Sequence, residues 1–201
     1  MCSGDSSTST RGRRRNWIWL LEPDRVQRFA PEFAEAARAR QHVIGDRWLV
    51  DETYLKVGGT WRYLFRAIDQ FGQVTDVFLS PRPNREATRR FFARAMGRTR
   101  VAPAEVTTDR YRVYPRVLDE LLPAAFHDAE VNANNPIETD HGRLKARLRP
   151  MRGLKRDHTA TLILAGHAFI QNLHRGFYDL GTNVPPSARL AEAFTELALV
   201  I

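Results

Sequence analysis

Between residues 47 and 80 the chain offers three strand-like runs in immediate succession, and little else can be built from them but an antiparallel meander. "RWLVDETYLKV" stops at Gly58-Gly59, a dipeptide suited to a two-residue hairpin; "TWRYLFRAID" stops at "QFG"; "QVTDVFLS" stops at "PRPN". After residue 84 the pattern changes. "REATRRFFARAMGRT" has helical spacing, with Ala87, Phe91, Phe92 and Ala95 directed to a core, and is followed by a short strand "AEVTTD". "YRVYPRVLDELL" reads as helix despite Pro115, and "AAFHDAEV" as a strand. A helix is expected from Pro136 to about Arg149, a long one over "TATLILAGHAFIQNLHRGF", and a last one over "SARLAEAFTELALVI". Upstream, "DRVQRFAPEFAEAARAR" reads as helix interrupted at Pro31.

Three antiparallel strands followed by alternating helices and strands give an α/β fold. The expected form is a ribonuclease-H-like, mixed five-stranded sheet flanked by helices, with extra helices at the C-terminus. The expected division is a disordered basic segment over 1–23, a helical module and linker over 24–44, the main domain over 45–182 and a C-terminal helix over 183–201. Trp48, Trp61, Tyr54 and Tyr63 are expected to pack within the sheet, and Trp17 and Trp19 to be partly buried anchors.

The charge is uneven. The 201 residues carry a formal net charge of +8, and "RLKARLRPMRGLKR" (143–156) holds seven Lys or Arg and no acid. A one-signed stripe of this kind is the footprint of a phosphate-rich partner. Cys2 is the only cysteine, which excludes an internal disulfide and a thiolate zinc site. No run approaches the 18 apolar residues of a membrane span, and a cytoplasmic, nucleoid-associated protein is expected.

Against this basic background three acids stand out. By strand alternation Leu49, Asp51, Thr53, Leu55 and Val57 share one face, which puts Asp51 among apolar neighbours where a lone carboxylate is costly. Asp109 ends a short strand, where open α/β sheets place ligands. Glu138 heads the basic helix, and His141, Lys145, Arg149 and Arg152 follow on the same side. Each has a plainer alternative: Asp51 can pair with an arginine, Asp109 can cap the next helix, and Glu138 can complete a capping box with Asn135. His141, His127, His158, His167 and His174 lack metal-ligand spacing and are expected to be mostly structural or phosphate-facing.

Together, "DETYLKVGGTWRYLFRAID", "TTDRYRVYPRVL", "NNPIETDHGRLKARLRPMRGLK" and "AGHAFIQNLHRGFYDLG" resemble the DDE transposases of bacterial insertion sequences, specifically the insertion-sequence-six family, from about Val26 to the C-terminus. The resemblance implies a retroviral-integrase-like core with Asp51, Asp109 and Glu138 as catalytic triad and ligands of two Mg²⁺ ions, Mn²⁺ being able to substitute. It implies cutting of transposon ends and transfer of their 3′-hydroxyls to target DNA. Lys145, seven residues after the glutamate, matches the family's DNA-contacting basic residue. Arg143, Arg147, Arg149, Arg152, Lys155, Arg156 and His141 are further candidates for the DNA surface. The implied partners are terminal inverted repeats and target DNA, bound by a homodimer or higher oligomer. The 28 residues between Asp109 and Glu138 are fewer than the family's usual spacing, which suggests a shorter insertion. Residues 1–25 do not resemble the start of the family's helix-turn-helix. The chain is therefore expected to lack most of that module, the alternative function being a truncated, non-catalytic DNA-binding remnant.

Overall fold

The computed structural model describes residues 23–109, 111–129, 135–148 and 154–200. The elements in chain order are α1 (Pro23–Ala37), β1 (Arg47–Val57), β2 (Thr60–Asp69), β3 (Val74–Ser80), α2 (Arg85–Thr99), β4 (Glu105–Thr107), α3 (Val113–Leu121), β5 (Phe126–Asp128), α4 (Asn135–Leu148), α5 (Asp157–Arg175) and α6 (Arg189–Leu197). The five strands form one mixed sheet of order β3-β2-β1-β4-β5. β1, β2 and β3 are antiparallel neighbours, and β4 runs parallel to both β1 and β5. Gly58 and Gly59 make the β1–β2 turn with φ of 55° and 82°, the left-handed values that a two-residue hairpin requires and glycine adopts without penalty.

Alternation along β1 splits its side chains between two cores. Trp48 and Val50 join Phe65, Ala67, the α2 residues Phe91 and Phe92, and the α3 residues Tyr114 and Val117. Leu55 and Val57 join Leu64, Ile68, Ile137 and Leu144 of α4, and Ile163 and Leu164 of α5. Helices therefore cover both faces. A bulge between Ala67 and Ile68 of β2 leaves Thr75 of β3 as the extra residue. Val74 and Val77, three apart, thus reach the same core. Asn172 of α5 binds this edge, accepting from the Val74 N–H and donating to its C=O (2.8 and 2.9 Å).

Two expectations are corrected here. α1 runs through Pro31 without a break and continues as a 3₁₀ turn over 38–40. Pro31 is exposed, so the hydrogen bond it forgoes lies on the solvent side. The opposite face, through Phe33, Ala34 and Ala37, packs with Phe169 and Leu173 of α5 and Phe194 and Leu197 of α6. Tyr54 and Trp61 do not pack within the sheet. They are 59% and 53% exposed, because the β1–β2 hairpin projects past the helices that bury Trp48. Trp17 and Trp19 lie outside the described residues. Among the described residues no helix is long and apolar enough to cross a membrane.

Candidate active site

Two of the three acids come together where β1 and β4 run side by side. The parallel register pairs Leu49 with Thr107; continued by two residues, it sets Asp51 opposite Asp109. The two carboxylates interact: Asp109 titrates above the ordinary aspartate range, first because it is partly desolvated and also because Asp51 is close. Asp109 does not cap α3. Its Oδ1 accepts the Tyr111 N–H at 3.0 Å, a side-chain turn that fixes the carboxylate, while the Thr108 hydroxyl donates to the Asp109 carbonyl (2.8 Å) and contacts the His127 ring (2.8 Å).

The third acid sits on α4, which lies across β1. Ile137 and Leu144 anchor the helix in the second core, and His141 is buried against the sheet with Nδ1 3.4 Å from Oδ2 of Asp51. His141 thus faces inward, away from the exposed Lys145 with which helical spacing had grouped it. Its Nε2 is buried without a hydrogen-bond partner among the described residues. Glu138 precedes His141 by three residues, about one turn earlier along α4. Its side chain lies outside the described residues, as do the side chains of Arg143 and Arg147 and the whole of Arg149 and Arg152. Lys145, Lys155 and Arg156 are exposed, the Lys145 ammonium standing 5.4 Å from the centroid of the Tyr54 ring.

One acid of the site was not singled out from the sequence. Glu52 points to the opposite face of β1 from Asp51, into the first core, where it accepts a hydrogen bond from the buried Tyr114 hydroxyl of α3. Burial raises its pKa to about 7. The tyrosine hydrogen bond offsets part of that rise, and the charges of Asp109 and Asp51 add to it. The tyrosine is pushed well above its usual value by its own burial and by Glu52. A glutamate adjoining Asp51 and alternating onto a face with Trp48 and Val50 is the only signal the sequence carries for it.

Negative charge is therefore concentrated and partly desolvated around Asp51, Glu52 and Asp109. Among the described residues no three His, Cys, Asp or Glu side chains form a metal-holding group by themselves. Asp51 and Asp109 would need a third donor, and Glu138 is the acid on the helix that covers them. Carboxylate oxygens suit a hard divalent cation, and a cation between them would relieve the repulsion that raises Asp109.

A mixed five-stranded sheet of this order, with helices on both faces and acids on its first strand and just past its fourth, is a ribonuclease-H-like fold. Solved structures agree at the level of fold. The simian T-cell lymphotropic virus intasome in complex with PP2A regulatory subunit B56 gamma superposes with a TM-score of 0.52 at 18% identity, covering 75% of this chain and 56% of that one. The magnesium complex of the HTLV-2 integrase catalytic core domain, in its trimeric form, gives 0.51 at 18% identity, covering 76% and 99%. A family model described as a DDE domain, of the IS240 transposase type, matches residues 45–177. The transposase for insertion sequence element IS257 in transposon Tn4003 of Staphylococcus aureus is 29% identical over 148 residues, 71% of this chain and 66% of the relative. The transposase for insertion sequence-like element IS431mec of Staphylococcus aureus strain Mu50 is 29% identical over 127 residues, 61% of this chain and 56% of the relative. The chain belongs to the DDE transposases of the insertion-sequence-six family. It spans between 56% and 66% of the length of these two relatives.

Proposed function

We propose that this chain is the catalytic part of a transposase that cuts transposon ends and joins their 3′-hydroxyls to target DNA, using divalent cations held by Asp51, Asp109 and Glu138. The observation that carries this reading is the placement of Asp51 and Asp109 on adjacent parallel strands, with the helix that bears Glu138 packed on β1. Mg²⁺, or Mn²⁺ in its place, would supply neutralisation of phosphate charge and activation of the attacking oxygen. The chain's own residues position the DNA. Lys145, Lys155 and Arg156, with Arg143, Arg147, Arg149 and Arg152, engage backbone phosphates and confer salt-sensitive affinity with little base readout. Joining two transposon ends in one event calls for at least a homodimer.

The test is direct: incubate the purified chain with a 3′-hydroxyl oligonucleotide, supercoiled plasmid and Mg²⁺ or Mn²⁺. Joined product that disappears with EDTA supports the proposal. DNA binding with no joining in either metal contradicts it and favours a non-catalytic DNA-binding protein.

His141 has a positioning role in this scheme. Packed beside Asp51, it limits the directions the carboxylate can take, much as outer-shell partners orient metal ligands. His141→Ala is expected to raise the Mn²⁺ concentration for half-maximal joining by about 10-fold or more. His141→Asn, whose amide can reach the same oxygen, recovers part of that loss. An unchanged metal requirement in the alanine variant would remove the role.

A further inference from the structure

The two aromatic side chains that fail to pack in the sheet form a platform of their own. Tyr54 and Trp61 meet edge to face at the end of the β1–β2 hairpin, centroids 5.2 Å apart and planes at 81°. A cation stands over one face of each ring: the Lys56 ammonium is 5.7 Å from the Trp61 centroid and the Lys145 ammonium 5.4 Å from that of Tyr54. Both rings nonetheless remain more than half exposed. Exposed aromatic side chains clustered on one surface are a mark of interaction sites.

The platform is held in place from behind. Val57 bridges in parallel to Leu154, and the Gly58 N–H donates to the Leu154 carbonyl at 2.7 Å. A Cβ at Gly58 would lie 2.7 Å from the Lys155 carbonyl oxygen, so the turn can come this close only as glycine. Arg62 of β2 grips Asp157, at the start of α5, with Nε and one terminal nitrogen at 3.0–3.1 Å, which neutralises the one acid of this stretch. The exposed Lys155 and Arg156 are thereby fixed beside the hairpin. The result is an aromatic pair with Lys56 and Lys145 at its rings and the exposed Lys155 and Arg156 on the segment behind the hairpin. Tyr54 lies three residues beyond Asp51 on the same strand, roughly 10 Å along it at the usual rise, about three base steps of DNA; its side chain leaves by the opposite face of β1, that of Glu52, yet Lys145 of α4, the helix on the Asp51 face, still reaches its ring.

We infer that the Tyr54–Trp61 platform stacks on an unpaired base of the DNA strand whose phosphodiester lies at Asp51 and Asp109. Aromatic faces accept any base, and the surrounding cations hold the backbone on either side; this combination is the recognition mode for single-stranded nucleic acid. The inference rests on the transposase reading and adds to it a subsite for a frayed or single-stranded flank, selected for strandedness and not for sequence.

The test uses the full chain and a duplex ending in a short single-stranded flank that carries 2-aminopurine, whose emission is quenched on stacking. Tyr54→Ala and Trp61→Ala are each expected to weaken binding of the flanked duplex by about fivefold or more and to restore the emission. Affinity for a blunt duplex and the salt slope should stay as in the wild type. Tyr54→Phe should behave like the wild type, whereas Lys145→Ala should lower the salt slope by about one. Because both rings are exposed, thermal unfolding is expected to be unaltered. Alanine variants that bind and quench like the wild type would overturn the platform alone. A wild type that binds neither duplex would overturn the transposase reading, and the platform with it.

Discussion

Asp109→Asn should lose DNA joining by more than about 100-fold while leaving the fold intact, or slightly stronger. Outer-shell partners of a metal ligand alone are worth about 10- to 100-fold, and Asp109 is placed to be a direct ligand. The substitution is nearly isosteric. The asparagine Oδ1 can still accept the Tyr111 N–H that holds the loop after β4, so a loss of activity would not reflect a lost turn. Removing the charge also removes a carboxylate that is partly desolvated and repelled by Asp51. Unfolding free energy in EDTA should therefore be unchanged or higher, the signature of a group kept for function at some expense to stability. Initial rates of joined product, alongside denaturant midpoints, separate these effects. Joining near the wild-type level would remove Asp109 from the site.

The second large effect concerns pH. Glu52 has its pKa raised by burial from 4.5 to about 7 in the folded chain. A carboxylate raised on folding favours the folded state when protonated. Its contribution is fully present below about pH 4.5 and is lost as pH rises through about 7, a change of about 3 kcal/mol at one pH unit per 1.36 kcal/mol. Glu52→Gln keeps an oxygen for the Tyr114 hydroxyl and cannot ionise. In EDTA, the variant should gain on the wild type by up to that amount between pH 5 and pH 8, read as the difference between two unfolding curves at each pH. Identical pH profiles for the two proteins would mean that Glu52 is solvated. Asp109 contributes in the same direction in both proteins, and because its charge couples to that of Glu52 the difference between the two curves reports Glu52 together with that coupling.

The sheet was legible because its signals are local. Period-two alternation and the Gly58-Gly59 turn give β1 and β2 the bounds the structure has, and the same alternation places Asp51 on a different face from Trp48. The site was legible in part for the same reason: Asp109 follows a strand and Glu138 opens a helix, both local facts. What escaped depends on how distant elements dock. His141 grouped with Lys145 by helical angle, yet the two side chains diverge once Ile137 and Leu144 seat α4 on β1 and turn the histidine inward. Glu52 becomes a shifted acid only because α3 brings Tyr114 over it, 62 residues away in the chain. Tyr54 and Trp61 have the composition of packed strand residues, and their exposure follows from the length of the hairpin relative to its covering helices. Pro31 reads as a break in isolation. It is tolerated because the lost hydrogen bond faces solvent while the other side of α1 packs on α5 and α6.

Whether Asp51, Asp109 and Glu138 form one divalent-metal site can be read from Mn²⁺ anomalous scattering in crystals grown with the metal. Anomalous density is expected bounded by oxygens of all three carboxylates, between the end of β4 and the first turn of α4, and it should be lost in Asp109→Asn. Density elsewhere on the chain, or a Glu138 carboxylate directed away from both aspartates with Mn²⁺ bound, would contradict a shared site.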